Sequence, residues 1–213
     1  MANQFQFIAI EGVIGAGKTA LANLLSERRQ ARMILEEFEE NPFLERFYKD
    51  RKRYAFQTQL AFLASRFKQQ QQIHTQDLFH DFVISDYIFE KDRIFARLNL
   101  DEDELGLYDS IFQLMLSISA KPDLVIYLQS SVERLMQNIR IRGREFERDL
   151  SEGYLREVSE AYNHYFYHYT QTPLMIINST EIDFVGNPDH LAYIEEQIFE
   201  KPLRAYTQLH IAP

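Results

Sequence analysis

The chain has 213 residues, of which 23 are basic and 32 acidic, so its net charge at pH 7 is -9. This acidic balance excludes a general electrostatic attraction to nucleic acid or to an anionic membrane. The lack of cysteine excludes disulfides and thiolate metal sites. No secretory signal or membrane-spanning apolar run is found, so we expect a cytoplasmic protein that forms one domain over residues 1–213.

A phosphate-binding loop follows the first predicted strand, Phe5–Ile10. Residues Gly12–Thr19 match the pattern G-x-x-x-x-G-K-[ST] at every constrained position. The glycines let backbone N–H groups converge on a polyphosphate, Lys18 adds a cation near its β and γ phosphates, and the Thr19 hydroxyl ligates Mg²⁺. A glycine turn without a ligand would leave Lys18 and Thr19 unexplained. We expect ATP with Mg²⁺ to bind through Gly12, Gly15, Ala16, Gly17, Lys18 and Thr19.

Short apolar segments alternate with long helical patterns along the rest of the chain. Strands joined by helical crossovers form a mainly parallel sheet with helices on both faces. The expected fold is therefore α/β, a phosphate-loop three-layer αβα arrangement with a five-stranded parallel sheet. The predicted strands are Phe5–Ile10, Met33–Glu36, Phe82–Asp86, Leu124–Leu128 and Leu174–Asn178. The predicted helical stretches include Pro42–Thr75, Asp103–Ser119, Val132–Arg144 and Gly153–Thr170.

Carboxylates close the second and third predicted strands. Glu36 and Glu37 end the second strand and Asp86 ends the third. The carboxyl ends of parallel strands share one crevice in which ligands bind. Such residues are also common as helix caps or solvated strand ends, but their coincidence with a phosphate loop favours a site. Asp86 is the candidate metal ligand beside Thr19, because phosphoryl transfer requires a metal close to the phosphates.

An arginine-rich stretch follows the predicted helix that starts near Val132. Arg140, Arg142 and Arg144 lie close together in a chain that is acidic overall. Their alternative role is to complement the dipole at a solvated helix end. A mobile lid that excludes water and adds guanidinium charge beside the transferring phosphate suits phosphoryl transfer. We expect Arg142 and Arg144 to act in catalysis with Lys18, and Arg140 to contact the nucleotide.

Together these residues resemble the deoxynucleoside kinases, which share the nucleoside monophosphate kinase fold. The segment Ile34–Phe43 looks like the family's Glu-Pro-Val segment with the Asn-Pro pair that follows in bacterial members. The resemblance implies that Glu36 is the general base toward the sugar 5′-hydroxyl. Glu37 stands in place of the usual Pro and is the alternative base.

The stretch that follows resembles the family's substrate helix. By that match Tyr48 contacts the sugar 3′-hydroxyl, while Gln59 and Arg66 read the base. The spacing agrees, because Gln59 and Arg66 lie at i and i+7 on one helical face, roughly 10 Å apart at 1.5 Å per residue. A glutamine amide offers a donor and an acceptor side by side, as a base edge requires.

Two later segments extend the resemblance to about residue 200. Arg142–Glu147 looks like the family's arginine lid, with Glu147 in the place of the carboxylate that holds the 3′-hydroxyl. Ile176–Phe184 resembles the loop over the adenine, which implies that Asp183 lies beside the nucleotide. One position departs from the family: Tyr87 stands after Asp86, where many members have an arginine. Asp86 itself is expected to contact substrate as well as metal.

The resemblance implies transfer of the γ-phosphoryl group of ATP to the 5′-hydroxyl of a deoxyribonucleoside, with purines preferred. It also implies a homodimer. A nucleoside monophosphate kinase, such as a thymidylate kinase, uses the same loop and lid. Its acceptor is anionic and requires a cation where this chain has Glu36 and Tyr48. A family member that binds nucleotide without catalysis is the other alternative.

Overall fold

A parallel β-sheet forms the centre of the computed structural model, which describes residues 5–73, 79–148 and 150–209. Its strand order is β2-β3-β1-β4-β5-β6, and every neighbouring pair is parallel. The central strand β1 is buried at every position, as expected for a strand covered on both faces. The strands are β1 (Phe7–Gly12), β2 (Arg32–Ile34), β3 (Val83–Ser85), β4 (Leu124–Gln129), β5 (Leu174–Asn178) and β6 (Tyr206–Leu209).

The predicted α/β class is confirmed, but the prediction of five strands was wrong because β6 adds a sixth strand to the described sheet. Within the described ranges, β6 pairs with β5 alone and forms an edge of the sheet. Tyr206 is 54% exposed, whereas Leu209 is 2% exposed. The buried strands were predicted from short continuous apolar runs. A strand whose residues alternate in exposure has no such run, so β6 was missed.

Helices connect the strands and position the site. They are α1 (Lys18–Arg29), α2 (Leu44–Lys49), α3 (Arg51–Ile73), α4 (Lys91–Asn99), α5 (Glu102–Leu116), α6 (Val132–Arg142), α7 (Glu152–Tyr167) and α8 (Pro188–Glu195). Short 3₁₀ turns lie at Phe38–Glu40 and Glu145–Glu147, and a π turn at Glu196–Glu200 extends α8. Among the described residues, no helix has the length and apolar character needed to cross a bilayer.

The helical stretch predicted over Pro42–Thr75 is two helices, α2 and α3. Asp50 ends α2 with a non-helical backbone, and its carboxylate accepts a hydrogen bond from the backbone N–H of Arg53 at 3.3 Å. An aspartate that bonds the backbone locally competes with helix continuation, which explains the break. The last two residues of that prediction lie outside the described residues.

Candidate functional site

The loop between β1 and α1 has the backbone that the phosphate-loop motif requires. Gly15 and Gly17 adopt positive φ angles of 87° and 94°, which favour glycine. A Cβ at Gly15 would also lie 2.8 Å from the Leu135 carbonyl oxygen. No side chain in the described ranges caps α1 after Gly17, so the first-turn N–H groups are free to bind an anion.

Lys18 and Thr19 extend from the start of α1 into the site. The Lys18 ammonium donates to the carbonyl oxygens of Gly12 at 2.8 Å and Val13 at 3.2 Å. Burial, aided by the nearby positive charge of Lys91, lowers the pKa of Lys18 to about 8. The Thr19 hydroxyl donates to Asp86 Oδ2 at 2.5 Å. A hydroxyl beside a carboxylate supplies the oxygen donors that Mg²⁺ prefers, so Thr19 and Asp86 fit that metal.

Asp86 also joins the phosphate loop to the segment after β2. Its Oδ1 accepts a hydrogen bond from the backbone N–H of Glu36 at 2.8 Å, while Oδ2 accepts from Thr19. Both carboxylate oxygens are therefore used, and each fixes a different element of the site. The position of Glu36 relative to the loop follows from this bridge.

The inner cleft is an open pocket of about 800 Å³ beside the phosphate loop. It is lined by residues of the loop, of α3 and of the Glu145–Glu147 turn, and the predicted substrate residues meet there. These are Glu36, Tyr48, Gln59, Arg66, Asp86 and Glu147. Glu37 is exposed and is not among the described residues that line the cleft.

Glu36 lies in a group of buried charges that we call the Glu36 cluster: Glu36, Arg66, Lys91 and Asp92. Arg66 donates to Glu36 Oε1 and to Asp92 Oδ1, and the Lys91 ammonium donates to Glu36 Oε2 at 2.6 Å. Burial alone would raise the pKa of Glu36, but the charges of Arg66 and Lys91 together hold it far below its usual value. Glu36 is therefore an ionised carboxylate at neutral pH.

Gln59 and Arg66, the two residues predicted to read the base, differ in whether their polar atoms already have hydrogen-bond partners. The Arg66 side chain is 3% exposed and is held by Glu36 and Asp92. Gln59 is 2% exposed, and its Oε1 has no hydrogen-bond partner among the described residues. A buried carbonyl oxygen without a donor is costly, so Gln59 is ready to accept a hydrogen bond from a ligand. Asp92 Oδ2 is also buried without a hydrogen-bond partner among the described residues.

The lid closes over the inner cleft. Arg142 donates to both oxygens of Glu147, at 3.2 and 2.5 Å, and Arg144 lies 3.7 Å from Glu147 Oε1. Phe146 stacks on Tyr48 with ring centroids 6.1 Å apart. Burial raises the pKa of the Tyr48 hydroxyl above its ordinary value, so it remains a hydrogen-bond donor.

A second pocket, the loop cleft, lies on the other side of the phosphate loop. It is lined by Gly15, Ala16, Gly17 and Asp183, as the sequence predicts. Arg140 is exposed and is not among the described residues that line either cleft. Both clefts share the side chains of Lys18, Thr19, Arg142 and Arg144.

Several residues of the site were missed by the sequence analysis. Arg134 and Asn138 line the loop cleft, and the Asn138 amide donates to the Gly15 carbonyl oxygen at 2.9 Å. Their i, i+4 spacing on α6 was the available signal, since it places them on one face, whereas Arg140 lies on another. Lys91, the first residue of α4, belongs to the Glu36 cluster, and no local sequence pattern predicted its contact with Glu36.

Glu11 was also missed, although it lies directly before the phosphate loop. It is fully buried and accepts hydrogen bonds from the backbone N–H groups of Gly12 at 2.8 Å and Ile88 at 3.0 Å. The Tyr162 hydroxyl donates to it at 3.3 Å. Burial raises the pKa of Glu11. Glu11 thus ties the end of β1 to the segment that leads into α4.

Comparisons with known proteins identify the family of the chain. The sequence profile of the deoxynucleoside kinase family matches residues 8–203. Deoxyguanosine kinase of Bacillus subtilis (strain 168) is 40% identical over 163 residues, covering 75% of this chain and 78% of that protein. Deoxyadenosine kinase of Dictyostelium discoideum is 37% identical over 199 residues, covering 91% of this chain and 79% of that protein.

A solved structure confirms the predicted fold. Deoxyadenosine kinase from M. mycoides with bound dATP has a TM-score of 0.80 and 26% sequence identity, and the match covers 91% of this chain and 98% of that one. The family profile spans both clefts, from the phosphate loop to beyond Asp183. The chain therefore belongs to the deoxynucleoside kinase family, whose members are phosphotransferases for deoxynucleosides.

Proposed function

We propose that this protein transfers the γ-phosphoryl group of ATP to the 5′-hydroxyl of a deoxyribonucleoside and thereby forms the deoxynucleoside monophosphate. The observation that carries the proposal is the meeting of the two clefts at Lys18, Thr19, Arg142 and Arg144. A donor in the loop cleft and an acceptor in the inner cleft would face each other across these side chains. Three of the four are cations, as the transfer of a charged phosphoryl group requires.

The acceptor side favours a neutral hydroxyl. Glu36 is an ionised carboxylate in the inner cleft, joined to the phosphate loop through Asp86. A hydroxyl bound beside this carboxylate can donate its proton to it. As the 5′-oxygen bonds to the γ-phosphorus, the bond from that phosphorus to the β–γ bridging oxygen breaks. Glu36 receives the hydroxyl proton, and the released diphosphate carries the bond electrons.

The remaining residues position the two substrates. Lys18 and the first turn of α1 hold the donor phosphates, with Gly12, Gly15, Ala16 and Gly17 providing the backbone. Thr19 and Asp86 would hold Mg²⁺, which neutralises phosphate charge when bound. Arg142 and Arg144 add positive charge from the lid. Tyr48 and Glu147 are proposed to hold the sugar 3′-hydroxyl, and Gln59 with Arg66 the base.

The base is proposed to be a purine. Two relatives reported above are a deoxyguanosine kinase and a deoxyadenosine kinase, and Gln59 and Asp92 offer unpaired acceptor oxygens to the amino or imino groups of a purine. We further propose a cytoplasmic homodimer in which each chain forms one domain. Exposed apolar residues on α5, Leu107 and Leu114, support an association surface.

The test is a panel of acceptors with ATP and Mg²⁺. The four deoxynucleosides and dTMP would each be incubated with enzyme, and the products separated by anion-exchange chromatography. We expect monophosphates from deoxyadenosine and deoxyguanosine. Absence of monophosphate from all four deoxynucleosides would refute the proposal, and phosphorylation of dTMP alone would indicate a nucleoside monophosphate kinase instead.

A further inference from the structure

Lys91 is a buried lysine in an unfavourable position. Its side chain is 7% exposed, and it is the first residue of α4. Burial disfavours the charged form of a lysine, and a cation at the N-terminus of a helix opposes the helix dipole. The ammonium must be compensated by a partner.

That partner is Glu36. The Lys91 ammonium donates to Glu36 Oε2 at 2.6 Å, while Arg66 holds the other oxygen, Oε1. The two cations approach the carboxylate at its separate oxygens, so together they fix its orientation as well as its charge. Arg66 alone would leave Oε2 free and allow the carboxylate to turn.

Backbone hydrogen bonds before α4 and the buried ring of Tyr87 hold the residues around Lys91 in place. Ile88, just before α4, donates its backbone N–H to Glu11 at 3.0 Å, and the Lys91 N–H donates to the Ile88 carbonyl oxygen at 3.2 Å. Tyr87, which stands where the resemblance places an arginine, is fully buried. Its ring lies under the Arg66 guanidinium, 5.7 Å from centroid to Cζ. Tyr87 therefore supports Arg66 and supplies no charge to Glu36.

We propose that Lys91 is a positioning residue for the phosphoryl transfer, which holds the Glu36 carboxylate toward the acceptor hydroxyl. The proposal rests on the proposed function, because it assigns Lys91 to the reaction through Glu36. Lys91 lines the inner cleft, but its ammonium is engaged by Glu36 Oε2, and it acts on the reaction through that carboxylate. Its effect should therefore fall on turnover and leave nucleoside affinity nearly unchanged.

The test is a double-mutant cycle of Lys91→Met and Glu36→Gln. Misplacing a reacting group by about 1 Å can cost about 10²-fold in rate, so we expect Lys91→Met to lower kcat by about 10- to 100-fold. The dissociation constant for the nucleoside, measured by calorimetry without ATP, should change by less than about 3-fold. In the Glu36→Gln background, Lys91→Met should lower kcat little further, because residues that act through each other are not additive.

Controls separate this role from a loss of structure. Lys201→Met removes another lysine paired with a glutamate, Glu196 at 2.7 Å, but on the surface, and should leave kcat unchanged. Lys91→Arg keeps the charge and should recover most of the lost kcat. If Lys91→Met does not fold, Lys91→Gln takes its place in the cycle.

Two results would overturn the proposal: a folded Lys91→Met enzyme with kcat within about 2-fold of wild type, or fully additive losses in the cycle. Both results require that the wild-type enzyme is active in the same assay. An inactive wild type would instead refute the proposed function.

Discussion

Replacing Glu36 with glutamine tests the central residue of the site. The change removes the proton acceptor and keeps nearly the same shape, since an amide oxygen can still accept from Arg66 or Lys91. A general base contributes about 10²–10⁴-fold to rate. Glu36 is a weak base, because its two cationic partners hold its pKa far below the usual value. We therefore expect a loss near the lower limit, about 10²-fold in kcat, or about 2.7 kcal/mol at 1.36 kcal/mol per tenfold.

The same change affects stability. Lys91 loses its carboxylate partner in a buried setting, and breaking one partner of a buried pair costs about 3–5 kcal/mol. The amide oxygen offsets part of this cost, so we expect about 3 kcal/mol. For a chain of this size that lowers Tm by about 6–12 °C. The kinetic assay should therefore be run at 20 °C, after circular dichroism has verified that the variant is folded.

Glu37→Gln is the matched control, because Glu37 is the adjacent carboxylate and is exposed outside the inner cleft. Initial rates of both variants would be measured over a range of nucleoside concentrations with saturating ATP and Mg²⁺. Glu37→Gln should stay within about 2-fold of wild type, as expected for a surface change. If Glu37→Gln loses activity while Glu36→Gln keeps it, the assignment of the base to Glu36 is refuted.

Three further outcomes are expected from the lid, the phosphate loop and the metal. Phe146→Ala should raise the KM for the nucleoside by about 10-fold, because the stack on Tyr48 is lost; an unchanged KM in steady-state assays would show that the lid contact is not used. Gly15→Ala should lower Tm and weaken ATP binding in a thermal-shift titration, since positive φ costs about 1–2 kcal/mol and the new Cβ would meet the Leu135 carbonyl oxygen at 2.8 Å. EDTA should abolish monophosphate formation and added Mg²⁺ should restore it; activity that survives chelation would contradict the metal role of Thr19 and Asp86.

The phosphate loop and the buried strands could be predicted from sequence because their signals are local. A motif of consecutive residues places Lys18 and Thr19 at the start of α1, and a continuous apolar run marks β1 as a central strand. The carboxylates at the ends of β2 and β3 meet as predicted, because parallel strands bring their carboxyl ends to one edge. Asp86 Oδ1 links the two strand ends by accepting from the backbone N–H of Glu36, while Oδ2 accepts from Thr19 in the phosphate loop.

The Glu36 cluster could not be predicted from local patterns. Glu36 and Lys91 are separated by 55 residues, and their contact depends on how α3 and α4 pack beside the strand ends. The sequence offered Arg93 as a replacement for the arginine missing at Tyr87, but Arg93 pairs with Asp109, and Lys91 is the cation that contacts Glu36. α4 was also not predicted as a helix of its own, since it has only 9 residues and two of its charged side chains, Lys91 and Asp92, are buried. Helical periodicity is a weak signal over so short a stretch.

Arg66 has a consequence for attempts to redesign this protein toward nucleoside analogues. Its guanidinium is shared between Asp92 and Glu36, and Glu36 is joined to the phosphate loop through Asp86. A library that randomises Arg66 or Asp92 would therefore alter the reaction centre together with the ligand preference, and most of its members would be slow. Gln59 lines the same cleft, and its free oxygen is not shared with the cluster. Gln59 is the better first position for such a library.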